Sequence, residues 1–197
     1  EGVAEESYNA SDVESKQFTT NTGKMLKNVV SNIYATKETF VRELISNAYD
    51  ACAKESLRLV SDVDYKPKID IILDAKRKTL TFIDNGIGMS RTDLEDYIGK
   101  LASSSTDSVK KENKDANMIG QFGVGFYSVF MVSDHVTILT KKYGEKGAQW
   151  SSKGNGEYTI GTIDKEDIGT KVIVSLKEDE FLEALRVKSA VSYTHLT

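Results

Sequence analysis

The apolar positions of the chain change period several times, and each change marks an element. Between Thr22 and Tyr34, Met25, Leu26, Val29, Val30 and Ile33 recur at helical spacing, with Asn21 or Thr22 able to cap the helix they predict. Thr36 offers a second N-cap, with Glu38 where the helix dipole favours an acid, and a longer helix follows to about Leu59. Its apolar face carries Phe40, Val41, Leu44, Ile45, Ala48, Ala51 and Cys52. Period two then takes over. Ile69, Ile71 and Leu73 alternate on one strand and Leu80, Phe82 and Asp84 on the next, with Lys76-Arg77-Lys78 as a solvated hairpin turn between them. Further strands are predicted at Val136 to Thr140, Trp150 to Ser151, Tyr158 to Ile160 and Lys171 to Leu176, separated by glycines as in an antiparallel meander. Val129, Phe130, Met131 and Val132 read as a buried helix, and Phe181 to Val191 as another.

Two segments lack a pattern. Glu1 to Lys16 is polar and acid-rich, which predicts a disordered or loosely attached extension over residues 1–17 and one domain over 18–197. Ile98 to Asn117, with Ser103-Ser104-Ser105-Thr106 and then Lys110 to Asp115, reads as a mobile polar loop. A net charge of -4 leaves no footprint for nucleic acid, and no apolar run approaches membrane-spanning length. No signal peptide is visible. The single cysteine, Cys52, excludes an internal disulfide and a cysteine-ligated zinc site, and reads as a small packed residue. The chain stops soon after its last predicted helix, as a piece of a larger protein would.

The candidate chemistry stands in four places. Glu43 and Asn47 are four apart, so they project side by side from the long helix and adjoin its apolar stripe. That position costs desolvation unless a ligand or partner compensates. Asp84 ends a core-facing row, where a carboxylate needs a hydrogen-bond partner, and Asn85-Gly86-Ile87-Gly88-Met89 turns the chain into a helix capped by Ser90 with Asp93. The polar loop follows. Gly120, Gly123 and Gly125 then form a GxxGxG turn whose bare N–H groups suit a phosphate.

Taken singly, each item has an ordinary reading: a solvated helix edge, a plain turn, a tight turn between core elements. Taken in order they suit a nucleoside triphosphate. Asn47 can offer its amide oxygen to Mg²⁺, and Glu43 can accept a proton from an attacking water. Asp84, an acceptor-only carboxylate, fits the exocyclic amine of adenine. Gly86 and Gly88 let the base lie against backbone, Ile87 and Met89 add apolar contact, and the loop closes as a lid.

Arg42 to Ala48, Asp84 to Met89 and Gly120 to Ser128 resemble the signature segments of the N-terminal domain of the ninety-kilodalton heat-shock chaperones. That family lies within the wider set shared with gyrase, mismatch-repair ATPases and histidine kinases, and the likeness runs from about Phe18 to Val191. It implies an α+β fold, a two-layer sandwich of a mostly antiparallel twisted sheet with helices on one face (the Bergerat-type ATP-binding fold). It implies ATP or ADP bound with Mg²⁺, Glu43 as general base, Asn47 as magnesium ligand and Asp84 as the adenine contact. Gly88, Met89, Phe126 and Thr170 would line the base and phosphate pocket, with Lys54 on its rim and a lid at about 97–119. An arginine from a following domain completes hydrolysis in that family, so hydrolysis by this chain alone is expected to be weak. The resemblance also implies client proteins, co-chaperones and a homodimer through regions outside this chain, with no nucleic acid and no membrane.

The pattern is broken in the lid, where the family has asparagine and lysine and this chain has Tyr97 and Ser103. Two other readings follow: a nucleotide-gated binding module with little hydrolysis, and a histidine-kinase catalytic domain. Only His135 and His195 are present, neither in a phosphoacceptor setting, which weighs against the kinase. The acidic N-terminal run, the sequon Asn9-Ala10-Ser11 and the run Leu57 to Asp62 resemble the family's endoplasmic-reticulum branch. That compartment is the expectation, with cytoplasm or mitochondrion as the alternative.

Overall fold

The computed structural model describes residues 8–18, 39–98, 126 and 128–177. The predicted helices at 22–34 and 181–191, the glycines Gly120, Gly123 and Gly125, and lid residues 99–119 lie outside the described residues.

Among the described residues seven strands form one sheet. They are β1 (Ser11–Gln17), β2 (Ile69–Asp74), β3 (Thr79–Asp84), β4 (Ser133–Lys141), β5 (Gly147–Ser152), β6 (Glu157–Ile163) and β7 (Gly169–Leu176). Their order is β1-β6-β5-β4-β7-β3-β2, and every pairing is antiparallel. The long helix α1 (Thr39–Arg58) and a second, α2, over residues 91–98, lie on the same face of the sheet. This is the α+β layering that the resemblance implied.

The register explains why one face is the core. Phe82, Val172, Ile138, Trp150 and Ile160 stand opposite one another across five strands, and all are buried. Two residues on, Leu80, Val174 and Val136 repeat the row. Phe40 and Leu44 from α1, and Leu94 and Ile98 from α2, close over these rows. Two residues in the other direction the row turns polar: Asp84, Thr170 and Thr140 are cross-strand neighbours. The core-facing side of the sheet therefore ends in hydrogen-bonding groups at one edge of the apolar layer.

Three expectations change. Residues 11–17, expected within a disordered extension, form edge strand β1 on β6. No hydrophobic alternation announces it, because its side chains are mostly exposed and the main-chain ladder holds it. Lys16 to Glu95 at 2.8 Å and Arg91 to Glu14 at 3.4 Å add ion pairs, and Phe18 buries its ring against Tyr158 and Trp150. The buried helix expected over Val129 to Val132 is a single 3-10 turn, Ser128–Met131, closed by Val132 N–H to Val129 O, since β4 begins at Ser133. The lid's first residues, Tyr97 and Ile98, belong to α2. The capping box at the start of α2 forms as read: Ser90 Oγ accepts from Asp93 N–H at 3.1 Å, and Asp93 Oδ2 from Ser90 N–H at 3.0 Å.

Candidate functional site

The turn after β3 is built against the backbone of α1. Ile87 N–H donates to Ala51 O at 3.0 Å, and a Cβ on Gly86 would stand 2.5 Å from the Ala51 carbonyl carbon. Asn85 ties the turn to the approach of β2: its Oδ1 accepts from Lys68 N–H at 2.7 Å and its Nδ2 donates to Lys66 O at 2.8 Å. Tyr65 Oη donates to Asn85 O at 3.0 Å. On the far side, Met89 N–H donates to Thr140 Oγ1 at 2.9 Å, and Thr140 Oγ1 lies 2.9 Å from Thr170 Oγ1. The turn is thus fixed from helix, strand and loop at once.

Between α1 and the polar end of the sheet lies a cavity of about 470 Å³. Of the residues singled out from the sequence, Asn47, Lys54, Asp84, Gly88, Met89, Phe126 and Thr170 line it together. Its floor is apolar (Phe82, Ile138, Val172), and its charged groups include Asp50, Asp93, Asp96 and Lys142. Asp93 was read only as the cap partner of Ser90, and Asp50, Asp96, Lys142 and Thr140 beneath the turn were missed because nothing in their local pattern sets them apart from a solvated surface or a strand. Glu43 does not line the cavity; it stands one helical turn before Asn47 on α1. Gly120, Gly123 and Gly125 cannot be placed in it, being outside the described residues.

Asp84 is the electrostatic centre of the site. Its Oδ1 accepts the Gly86 N–H at 2.9 Å, and the Thr170 backbone N–H donates to it as well. Burial outweighs these bonds and the nearby Lys165 charge, and raises its pKa to about 6. Burial, and then the charge of Asp50, push the Glu43 carboxyl above its ordinary range. Tyr97 reaches into the cavity and accepts a hydrogen bond from Asn47 Nδ2 at 3.0 Å.

We expect Thr140→Val to cost about 1–3 kcal/mol in urea denaturation, because it leaves the Met89 N–H without its acceptor while conserving shape. A cost near zero would mean that the hydroxyl does not hold the turn.

An open antiparallel sheet with helices on one face, and with a half-buried carboxylate at a strand end facing the cleft between the layers, is the layering of an ATPase-type α+β sandwich. Residues 34–194 match the family of histidine kinase-, DNA gyrase B- and HSP90-like ATPases, and the chain belongs to it. The chaperone protein HtpG of Nitrosomonas europaea is 43% identical over an alignment of 197 positions that covers 92% of this chain and 31% of that protein. HtpG of Nitrosomonas eutropha is also 43% identical, over the same shares. HtpG of Escherichia coli K12 is 42% identical over an alignment of 194 positions that covers 91% of this chain and 31% of the relative. The chain thus spans 31% of the length of these curated relatives.

These relatives overturn the assignment to the endoplasmic reticulum. They are bacterial proteins, from cells without that compartment, and none is the endoplasmic-reticulum form, endoplasmin. The features that suggested it are weak ones: a three-residue sequon, an acidic stretch that is partly strand β1, and a run at the exposed end of α1.

Proposed function

We propose that this chain binds ATP and ADP with Mg²⁺, and hydrolyses ATP as the nucleotide domain of a molecular chaperone whose lid closure is coupled to the folding of client proteins. The observation that carries the reading is Asp84, a carboxylate whose pKa burial raises to about 6, at the end of a core row and facing a cavity of nucleoside size. Two backbone N–H groups orient Asp84, which leaves acceptor capacity for the exocyclic amine of adenine. Met89, Gly88 and the floor residues Phe82 and Val172 supply the flat apolar contact for the base. Thr170 adds a hydroxyl, Phe126 a ring, and Lys54 a cation at the rim. Gly120, Gly123 and Gly125 are assigned to the phosphates from their spacing and the resemblance alone.

The donor set suits Mg²⁺. Among the described residues no group of three or more His, Cys, Asp or Glu could hold a metal, whereas Mg²⁺ needs only one or two protein oxygens beside phosphates and water. With Nδ2 engaged by Tyr97, Asn47 has its Oδ1 to give. When bound, Mg²⁺ neutralises phosphate charge. Glu43, one helical turn before Asn47 and with its carboxyl raised above its ordinary range by burial, takes the proton of the attacking water. Clients, co-chaperones and a homodimer belong to the longer protein.

Titrating ATP and ADP into this chain, with Mg²⁺ and with chelator, tests the binding reading: saturable binding by both is expected, and none by either would end it. In the protein carrying the following domain, Glu43→Ala should cut turnover by about 10²-fold or more while nucleotide affinity changes little. Equal rates would leave the second reading, a nucleotide-gated binding module, which Tyr97 in the lid-side wall favours.

A further inference from the structure

Residue 97 stands inside the cavity itself. The phenol of Tyr97 is carried by α2 and stands edge-on to Phe126, with ring centroids 6.2 Å apart at 72°. Its Oη receives the Asn47 Nδ2 at 3.0 Å, across from α1. One hydrogen bond therefore joins the helix that leads into the lid to the residue assigned to the metal. A side-chain amide has a donor end and an acceptor end, and they point in opposite directions. Committing the nitrogen to the phenol leaves the oxygen as the other face. Asparagine would otherwise be free to present either end, and only the oxygen can serve a hard cation. Burial, with the Glu43 charge adding to it, holds the phenol far above its ordinary range, so it stays a neutral hydroxyl.

Resting on the nucleotide-site reading above, we propose that Tyr97 is a positioning residue: its hydroxyl fixes the Asn47 amide so that Oδ1, not the nitrogen, is available to Mg²⁺. The Mg²⁺-dependent part of nucleotide affinity then runs through the bond between Asn47 and Tyr97. Removing a group that orients a metal ligand commonly costs 10–100-fold in metal affinity.

The test is calorimetric titration of ADP into this chain and its Tyr97→Phe variant, each with Mg²⁺ and with chelator. Phenylalanine keeps the ring against Phe126 and removes only the hydroxyl. The gain in ADP affinity on adding Mg²⁺ should fall about tenfold in the variant, while the affinity in chelator stays within about twofold. An undiminished Mg²⁺ gain would overturn the positioning role, and so would equally tighter binding in both buffers, which would make Tyr97 a plug. If the unaltered chain bound no ADP in either buffer, the nucleotide reading itself would fall and this one with it. Should Tyr97→Phe fail to fold, the unaltered chain still decides: the Asn47 side-chain amide protons should be protected from solvent exchange by NMR, and free exchange would overturn the proposal.

Discussion

Asp84→Asn is expected to weaken ADP binding by about 2–4 kcal/mol and, in the same protein, to raise the stability of the ligand-free chain at neutral pH. Both effects have one origin. The carboxylate is desolvated, with its Oδ1 turned to the Gly86 N–H and a second bond from the Thr170 N–H. An asparagine placed there gives its single oxygen to those donors, so its NH₂ faces the cavity, where the adenine amine also brings a donor. Donor then meets donor in a dry pocket, and affinity falls.

Without ligand the balance reverses, because an amide carries no charge to desolvate. The sign follows from the folded pKa of about 6 against an ordinary value of 3.8. Between these values the folded chain keeps a proton that the unfolded chain has released, so stability is greatest below about pH 4 and is lost as pH rises through 6. At pH 7 the loss is on the order of 3 kcal/mol, which the variant escapes; a melting temperature higher by about 5 °C or more is expected. The unaltered chain should also bind ADP more weakly from pH 7 to pH 5, as Asp84 takes up its proton, and Asp84→Asn should lose that dependence. An unchanged affinity in a folded Asp84→Asn protein, or a flat pH profile in the original, would remove Asp84 from the site.

How much of this could be read from the chain depends on whether a residue's environment is local. Strand β3 was readable because its Leu80 and Phe82 are buried on one face, and burial of one face imposes period two on Leu80, Phe82 and Asp84; β2 beside it buries only Ile69 fully and packs Ile71 and Leu73 partly against the core. Helix α1 was readable because Phe40, Leu44, Ala48 and Cys52 fall four apart on its buried face. Strand β1 was not, since an edge strand held by its ladder leaves its side chains in water. The polar row Asp84–Thr170–Thr140 shows the same limit. Asp84 announced itself as a carboxylate on an apolar face, whereas Thr140 is an unremarkable strand residue until the order β4-β7-β3 brings it to the turn after Asp84. Tyr97 was seen as a departure from the family, but its bond to Asn47 depends on how α2 meets α1, which no spacing in the chain encodes.

The second large effect is expected from Gly88→Ala, which should destabilise the chain by about 3–5 kcal/mol and weaken ADP binding in whatever fraction remains folded. Gly88 has φ of +67°, which an L side chain adopts at a cost of about 1 kcal/mol. A Cβ there would also stand 1.8 Å from the Lys141 carbonyl oxygen and 2.5 Å from its carbon, atoms at the end of β4 that cannot turn aside as a side chain would. The turn must therefore lift from β4, and lifting it breaks the Met89 N–H to Thr140 bond that seats the wall of the cavity. Gly144→Ala separates the two contributions. Gly144 has φ of +75° but nothing within 4 Å of an added Cβ, so it should cost only about 1 kcal/mol and leave ADP binding intact. Thermal melts and ADP titrations of the two variants side by side check this. If Gly88→Ala proves no worse than Gly144→Ala, the close approach of the turn to β4 is not what holds the nucleotide wall in place.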